Sequence, residues 1–300
     1  MSLINIVLVG ASGNFGGLVL PELVKTDFHL TTVIRETSKA TFPSGVQVAK
    51  SNFSLKSLTE RFQGKDAVVS MLPIAALADQ GVVIEAAIAA GVKRFIPSEY
   101  GFDSSNPAAH AAVPLFEGKK KHLELLASKE DVISWTALIT GLFFDWTFFL
   151  GLTGFDAKTK TVTLVDDGKT RFTASTSTQI SRALIAVLKH ADETSNKMVF
   201  VESFTTTQTE VLAAVENVTG QKWNVVEAKS EEIRAAGFQK VGEDNYVEGA
   251  GLLIQAAVLG NEALEDRSHV EGGLWNERLG LEEESIEKVL EVIFQNAPNN

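Results

Sequence analysis

The first half of the chain alternates short apolar runs with helical patterns at close spacing. Ile4 to Val9 is an apolar run of strand length, the pattern of a β-strand buried on both faces of a parallel sheet. Gly10 to Gly17 is a turn, and Leu18 to Lys25 continues as a helix that Pro21 should kink or shorten. His29 to Ile34 reads as the second strand, Val46 to Ala49 as the third, and Leu55 to Phe62 as a polar helix. Asp66 to Met71 is a fourth strand ending at Pro73, and Ala78 to Ala90 is an alanine-rich helix stopped by Gly91. Lys93 to Ile96 opens the next strand and leads into PSEYG; Pro114 to Ser128 is helical and Val132 to Ile139 is a further strand. This alternation predicts an α/β fold with a Rossmann-type, doubly wound parallel sheet through about residue 140.

Beyond that point the pattern changes. GLFFDWTFFLGLTG is aromatic and irregular. Thr161 to Val165, the turn Asp166-Asp167-Gly168 and Arg171 to Phe172 read as a hairpin. Ile180 to His190 is an amphipathic helix, Met198 to Val201 is a short strand able to rejoin the sheet, and residues 205–300 are mostly helical, closing with Ser285 to Gln295. The expected organisation is a dinucleotide-binding domain over 1–150, with 170–203 returning to it, and a smaller, mostly helical substrate-binding lobe within 151–300.

Composition narrows the chemistry. The 300 residues are 45% hydrophobic, enough for a large core. The net charge of −11 gives an acidic surface that repels phosphate backbones, so no direct nucleic-acid partner is expected. With no cysteine there is no disulfide, thiolate metal site or cysteine nucleophile. The apolar N-terminal run lacks a basic leader and no run approaches the roughly 20 residues of a membrane span, so a cytoplasmic protein is expected.

The turn VGASGNFGG places glycines at 10, 13 and 16, between the first strand and a helix. In that context Gly10 permits the tight turn, Gly13 lets the backbone approach a pyrophosphate, and Gly16 lets helix and strand pack closely. Ser12, Asn14 and Phe15 lie in the same turn and join the expected cofactor contacts, facing an anion at a helix N-terminus. The second strand ends in Arg35, where an NAD-binding unit would carry an acid. A cation there suits the 2′-phosphate of NADPH, with Thr37 and Ser38 adding hydroxyls and Lys39 adding charge. Glu36 would hold ribose hydroxyls instead if the strand ended one residue later.

Several familiar mechanisms are missing. Of the two tyrosines, Tyr100 is followed four residues on by Ser104 and Tyr246 by Ala250, so the Tyr-x-x-x-Lys pair common on this fold is absent. There is no G-x-S-x-G and no H-E-x-x-H, and the five histidines show no ligand spacing. A lysine is the remaining candidate. In PLFEGKKKHLELLAS the helical period puts Lys119 in the apolar stripe with Leu115, Phe116, Leu123 and Leu126, while Lys121 shares its side with Glu117 and Glu124. Burial there would lower its pKa toward an acid/base role; the alternative is a lysine that lays its stem on apolar surface and keeps its ammonium in water. Ligands of such sheets bind outside the carboxyl ends of the strands, where Pro97-Ser98-Glu99-Tyr100-Gly101 and Thr140-Gly141-Leu142-Phe143 fall. Phe143 and Phe144 are the aromatic residues expected to face ligand, with Tyr100 orienting substrate.

Taken together, GASGNFG, VIRETS, VKRFIPSEYG, FEGK at 116–119 and DDGKTRF at 166–172 resemble the isoflavone reductase-like, NmrA-like branch of the atypical short-chain dehydrogenases, over roughly residues 3–203. That group includes phenylcoumaran benzylic ether reductases and pinoresinol–lariciresinol reductases. The resemblance implies that the glycine turn binds the NADPH pyrophosphate, that Arg35 binds the 2′-phosphate and that Lys119 is the acid/base. Where plant members follow the lysine with paired arginines this chain has Lys120 and Lys121, and their SEF is SEY here. The expected function is hydride transfer from NADPH to a small aromatic or conjugated substrate. A second expectation from the same resemblance is an NADP(H)-sensing regulator that contacts a protein partner without turnover.

Overall fold

A computed structural model describes residues 1–295. Thirteen strands are β1 (Asn5–Val9), β2 (His29–Arg35), β3 (Gln47–Ser51), β4 (Ala67–Ser70), β5 (Arg94–Ile96), β6 (Ser134–Ile139), β7 (Leu142–Phe143), β8 (Phe155–Asp156), β9 (Thr161–Val165), β10 (Phe172–Ser175), β11 (Lys197–Phe200), β12 (Phe204–Thr206) and β13 (Asn224–Ala228). The helices are α1 (Asn14–Leu23), α2 (Leu55–Phe62), α3 (Gln80–Ala89), α4 (Pro107–Ala112), α5 (Glu117–Ala127), α6 (Phe144–Phe148), α7 (Ser177–Lys189), α8 (Gln208–Thr219), α9 (Ser230–Gly242), α10 (Tyr246–Leu259) and α11 (Ile286–Gln295). Short 3₁₀ turns at Ile74–Asp79 and Pro114–Phe116 lead into α3 and α5.

Seven parallel strands form the main sheet in the order β11-β6-β5-β4-β1-β2-β3. The apolar run at β1 is continuous because both faces are covered. Ile6 and Leu8 pack on one side with Val19 and Leu23 of α1 and Ile180 and Leu184 of α7. Val7 and Val9 point to the other side, against Leu58 and Phe62 of α2 and Val83 and Ile84 of α3. The chain order reverses between β1 and β4, so the crevice at their carboxyl ends is the switch point of the sheet, where this architecture binds ligands. β11 does rejoin the sheet, pairing in parallel with β6 from Lys197↔Thr136 to Phe200↔Ile139.

Three local expectations change. Helix α1 starts at Asn14, not Leu18, which makes Gly13 its N-cap. Pro21 sits in the last turn of α1, where it forfeits a single hydrogen bond, and the helix ends at Leu23. The hairpin over 161–172 does not form. β9 pairs with β8 and β13, whereas β10 pairs with β7 and β12 in a different sheet. Asp166 takes a positive φ of 55° and its carboxylate accepts from Ser230 N and Oγ, so the turn ties to α9 and releases the chain across to β10.

The smaller lobe has its own core of Phe144, Phe148, Phe155, Phe172, Trp223, Leu253 and Leu290. Its last segment crosses back: Trp275 and Leu279 pack in the same layer as Ile6 and Leu8. At the amino end of β5, away from the crevice, Arg94 is fully buried without a carboxylate. Its guanidinium donates to Ser134 Oγ (2.8 Å), Thr136 Oγ1 (2.6 Å), Thr194 Oγ1 (3.2 Å) and the Ala191 carbonyl. Burial brings its pKa down to about 10, so it stays charged at neutral pH. No helix among the described residues is long and apolar enough to cross a membrane.

Candidate active site

The crevice is built from four strand ends. After β1, Gly10 takes φ +89°, and a side chain there would meet the Met71 carbonyl oxygen at 2.7 Å, so only glycine makes this turn. Gly16 lies against the Ala11 backbone so closely that an added methyl would overlap it. Gly13 is different: its only neighbour within reach of a methyl is the Gly10 carbonyl oxygen, at 3.3 Å. Gly10 and Gly16 are therefore glycines for the fold's sake, and Gly13 is one where a methyl would crowd only a single backbone oxygen. Gly13 also offers no side-chain cap to the first-turn amides of α1, and the turn's Ser12, Gly13 and Asn14 are exposed. A phosphate at that helix end would receive those N–H groups. Gly16→Ala should accordingly cost roughly 1–3 kcal/mol of stability by overpacking. Gly13→Ala should destabilise much less than Gly16→Ala yet bind dinucleotide more weakly than the parent; thermal melts paired with ligand titration separate the two.

After β2, Arg35 is exposed and ends the strand, so Glu36 begins the following turn rather than taking the strand-end position. Arg35 Nη2 donates to Asp79 Oδ2 at 3.1 Å, and its guanidinium lies 5.6 Å from the centre of the Phe53 ring. Both partners of this ion pair are exposed, at 63% and 46%, so the pair is weak and readily exchanged for a dianion. Thr37 and Lys39 are exposed in the same turn.

After β5 the loop Pro97–Gly101 meets the glycine turn. Tyr100 packs against Phe15 with ring centres 4.1 Å apart and planes tilted by 37°, and Phe143, after β6, lies 5.5 Å from Phe15. The Tyr100 hydroxyl is buried with no partner among the described residues, and burial raises its pKa. Phe144 goes the other way. It is fully buried in the small-lobe core, 5.0 Å from Phe204 and 5.9 Å from Phe148, because α6 begins there and turns its ring inward. The expectation that Phe144 faces ligand is corrected accordingly.

Lys119 is buried, not snorkelling. It is 7% exposed on α5, and its ammonium donates to the main-chain oxygen of Glu99, next to Tyr100. Burial lowers its pKa, with Glu99 and Glu265 pulling in the opposite sense. The neighbouring helix face behaves as the periodicity implied: Lys121 is exposed and paired with Glu117 at 3.2 Å. The glycine turn, the β5 loop and the lysine are thus joined in one continuous group, Phe15 to Tyr100 to Glu99 to Lys119.

Two buried charged residues matter here to which the sequence pattern assigned no role. Glu99 is fully buried beside Lys119; its sign in the sequence is an acid directly following an apolar strand, in PSEYG. Glu265, also fully buried, comes from the segment between α10 and α11 and pairs with Arg267 at 2.7 Å. Nothing in the sequence around Glu265-Asp266-Arg267 marks it as interior. No cluster of histidine, aspartate or glutamate among the described residues has a metal-binding arrangement.

The model of the NmrA-like family matches residues 4–248. The oxidoreductase poxI of Penicillium oxalicum is 33% identical over 234 residues, covering 77% of this chain and 74% of the relative. The oxidoreductase aprR of Aspergillus flavus is 31% identical over 249 residues, covering 81% and 84%. Among solved structures, leucoanthocyanidin reductase of Vitis vinifera in binary complex with NADPH superposes with a TM-score of 0.82 at 16% identity, covering 97% of this chain and 100% of that one.

Proposed function

Since the chain belongs to the NmrA-like family, we propose that it is an NADPH-dependent reductase of a small aromatic or conjugated substrate, with Lys119 as proton donor. The observation that carries this reading is the burial of Lys119 at the carboxyl ends of the sheet, tied through Glu99 and Tyr100 to the ring of Phe15 in the glycine turn. Two relatives named as oxidoreductases support the reaction class.

The residues present fit the cofactor. The uncapped N-terminus of α1 and the exposed, side-chain-free backbone at Gly13 suit a pyrophosphate. Arg35, Thr37 and Lys39 suit a 2′-phosphate, with Arg35 exchanging Asp79 for the dianion. Phe143 is the aromatic residue that lines the crevice beside Phe15. Bound NADPH supplies a hydride to an electrophilic carbon of the substrate. Lys119 Nζ gives a proton to the atom that takes up the resulting negative charge, and the amine left behind is tolerated because burial already disfavours the ammonium. The aromatic rings around Phe15 keep water from this step and favour a flat, apolar substrate.

Calorimetric titration with NADPH and NADH, followed by NADPH oxidation across quinones, enones and phenolic ethers, tests the reading. Arg35→Glu is expected to weaken NADPH by roughly 10–100-fold, the value of charge-assisted hydrogen bonds to a phosphate, and to leave NADH within a few-fold. Equal affinity of the parent for both cofactors would overturn the NADPH assignment. Tight NADPH binding with no oxidation by any of these compounds would favour a dinucleotide sensor.

A further inference from the structure

Three buried charged side chains come from three distant parts of the chain: Lys119 on α5, Glu99 after β5 and Glu265 between α10 and α11. Neither carboxylate oxygen of Glu99 has a well-formed hydrogen bond among the described residues, although the buried Ser104 hydroxyl lies close enough to oppose the effect of its burial, and Oε2 of Glu265 has none. Leaving ionised oxygens in this state is costly unless a cation offsets them. The Lys119 ammonium bonds the Glu99 main chain and makes no direct ion pair with either carboxylate among the described residues, so both acids act on it through space.

Glu265 is held firmly. Its Oε1 accepts from Arg267 Nε at 2.9 Å and Nη2 at 2.7 Å. Thr173 N donates to the Glu265 carbonyl at 2.8 Å, and Arg267 N donates to Thr173 Oγ1 at 3.1 Å. Arg267 Nη2 also reaches the Gly101 carbonyl at 3.4 Å, in the loop that carries Glu99. The remaining titratable groups facing the cluster are Tyr100 and Asp103, from that loop, and His110 on α4, whose Nε2 meets the Ser104 carbonyl; the Tyr100 phenol is pushed up by burial and by Glu99. Burial pushes the Glu99 carboxyl up, with Lys119 opposing, and pushes Glu265 up to about 7, with Arg267 opposing.

We infer that Glu99 and Glu265 are the buried counter-charges that favour the ammonium form of Lys119 against the cost of its burial, and that Arg267 serves to lock Glu265 in position. They are positioning residues that act through Lys119 and do not touch substrate. This deepens, and rests on, the reading of Lys119 as the proton donor. It assigns the C-terminal segment a part in setting the acid's strength. With one carboxylate neutralised, the ammonium loses attraction and Lys119 releases its proton at lower pH.

The test is a pH titration of the full chain, without cofactor, labelled with ¹³C at lysine Cε, the Lys119 resonance being the one lost in Lys119→Met. Glu99→Gln and Glu265→Gln are each expected to lower the Lys119 midpoint by about one unit or more, roughly a tenfold change in protonation equilibrium. Glu117→Gln, an exposed neutral control on the same helix, should leave it in place. If Glu99→Gln does not fold, Glu265→Gln and Arg267→Lys, on a separate segment, carry the test. In turnover, the basic limb of kcat/KM should move down by the same amount while NADPH affinity holds. A Lys119 midpoint that stays put in the folded Glu→Gln variants overturns the inference. Full turnover by Lys119→Met, together with a shifted Lys119 midpoint in the Glu→Gln variants, sinks only the acid–base role and leaves the counter-charge standing.

Discussion

Lys119→Met is expected to bind NADPH as tightly as the parent and to lose turnover by roughly 10²–10⁴-fold, the usual contribution of a positioned proton donor. Methionine fills a similar volume, so α5 still packs through Phe116, Leu123 and Leu126. The Glu99 carbonyl loses its donor, and the two carboxylates lose the nearest free ammonium. Loss of that charge favours the protonated form of Glu99 most, because Glu265 keeps Arg267 as its partner. The glycine turn and Arg35 are untouched, so a fluorescence titration with NADPH should superimpose on that of the parent. Comparable single-turnover oxidation by the variant would remove Lys119 from the chemistry.

The second large effect is on stability. Arg94→Ala should destabilise the protein by roughly 3–5 kcal/mol, the range for large-to-small truncation in a packed interior. The lost guanidinium bridges β5, β6 and the end of α7 through Ser134, Thr136, Thr194 and Ala191. Its removal leaves a cavity at the floor of the sheet and a buried carbonyl without its donor. Lysine is a poor replacement, because one ammonium cannot span acceptors fixed on separate elements. Urea unfolding at neutral pH measures the loss. Because Arg94 lies at the amino end of β5, NADPH affinity of the folded fraction should not change. A change below about 1 kcal/mol would mean that the bridge contributes little.

The parts of this molecule legible in the sequence are those fixed by neighbours along the chain. The strand–turn–helix at Val9 to Asn14 is local, and so is the stripe that buries Lys119 and leaves Lys121 in water. The polar helix read at Leu55 to Phe62 has those bounds, and the Ser54 hydroxyl caps it by accepting from Ser57 N. What escaped depends on distant pairing. Nothing local says that Phe143 stays in the crevice while Phe144 turns inward, since that is decided by where α6 starts against Phe204. The strands at 161–165 and 172–175 have hairpin composition, yet β13 and β7, far apart in the chain, each claim one of them. The meeting of Glu99, Lys119 and Glu265 depends on the backbone bonds between Thr173 and the segment after α10. A charge in a polar stretch gives no hint that a remote fold will enclose it.

The return of β11 to the edge of β6 and the docking of Trp275 and Leu279 beside Ile6 have a consequence for biosynthesis. During translation, β6 presents a bare, hydrogen-bonding edge until Lys197–Phe200 has left the ribosome, and the layer over β1 stays incomplete until the chain has grown past Leu279. A truncated product ending near residue 150 would carry the whole glycine turn and still aggregate through that edge. Anyone seeking a portable dinucleotide sensor from this scaffold should retain the late segment and trim elsewhere.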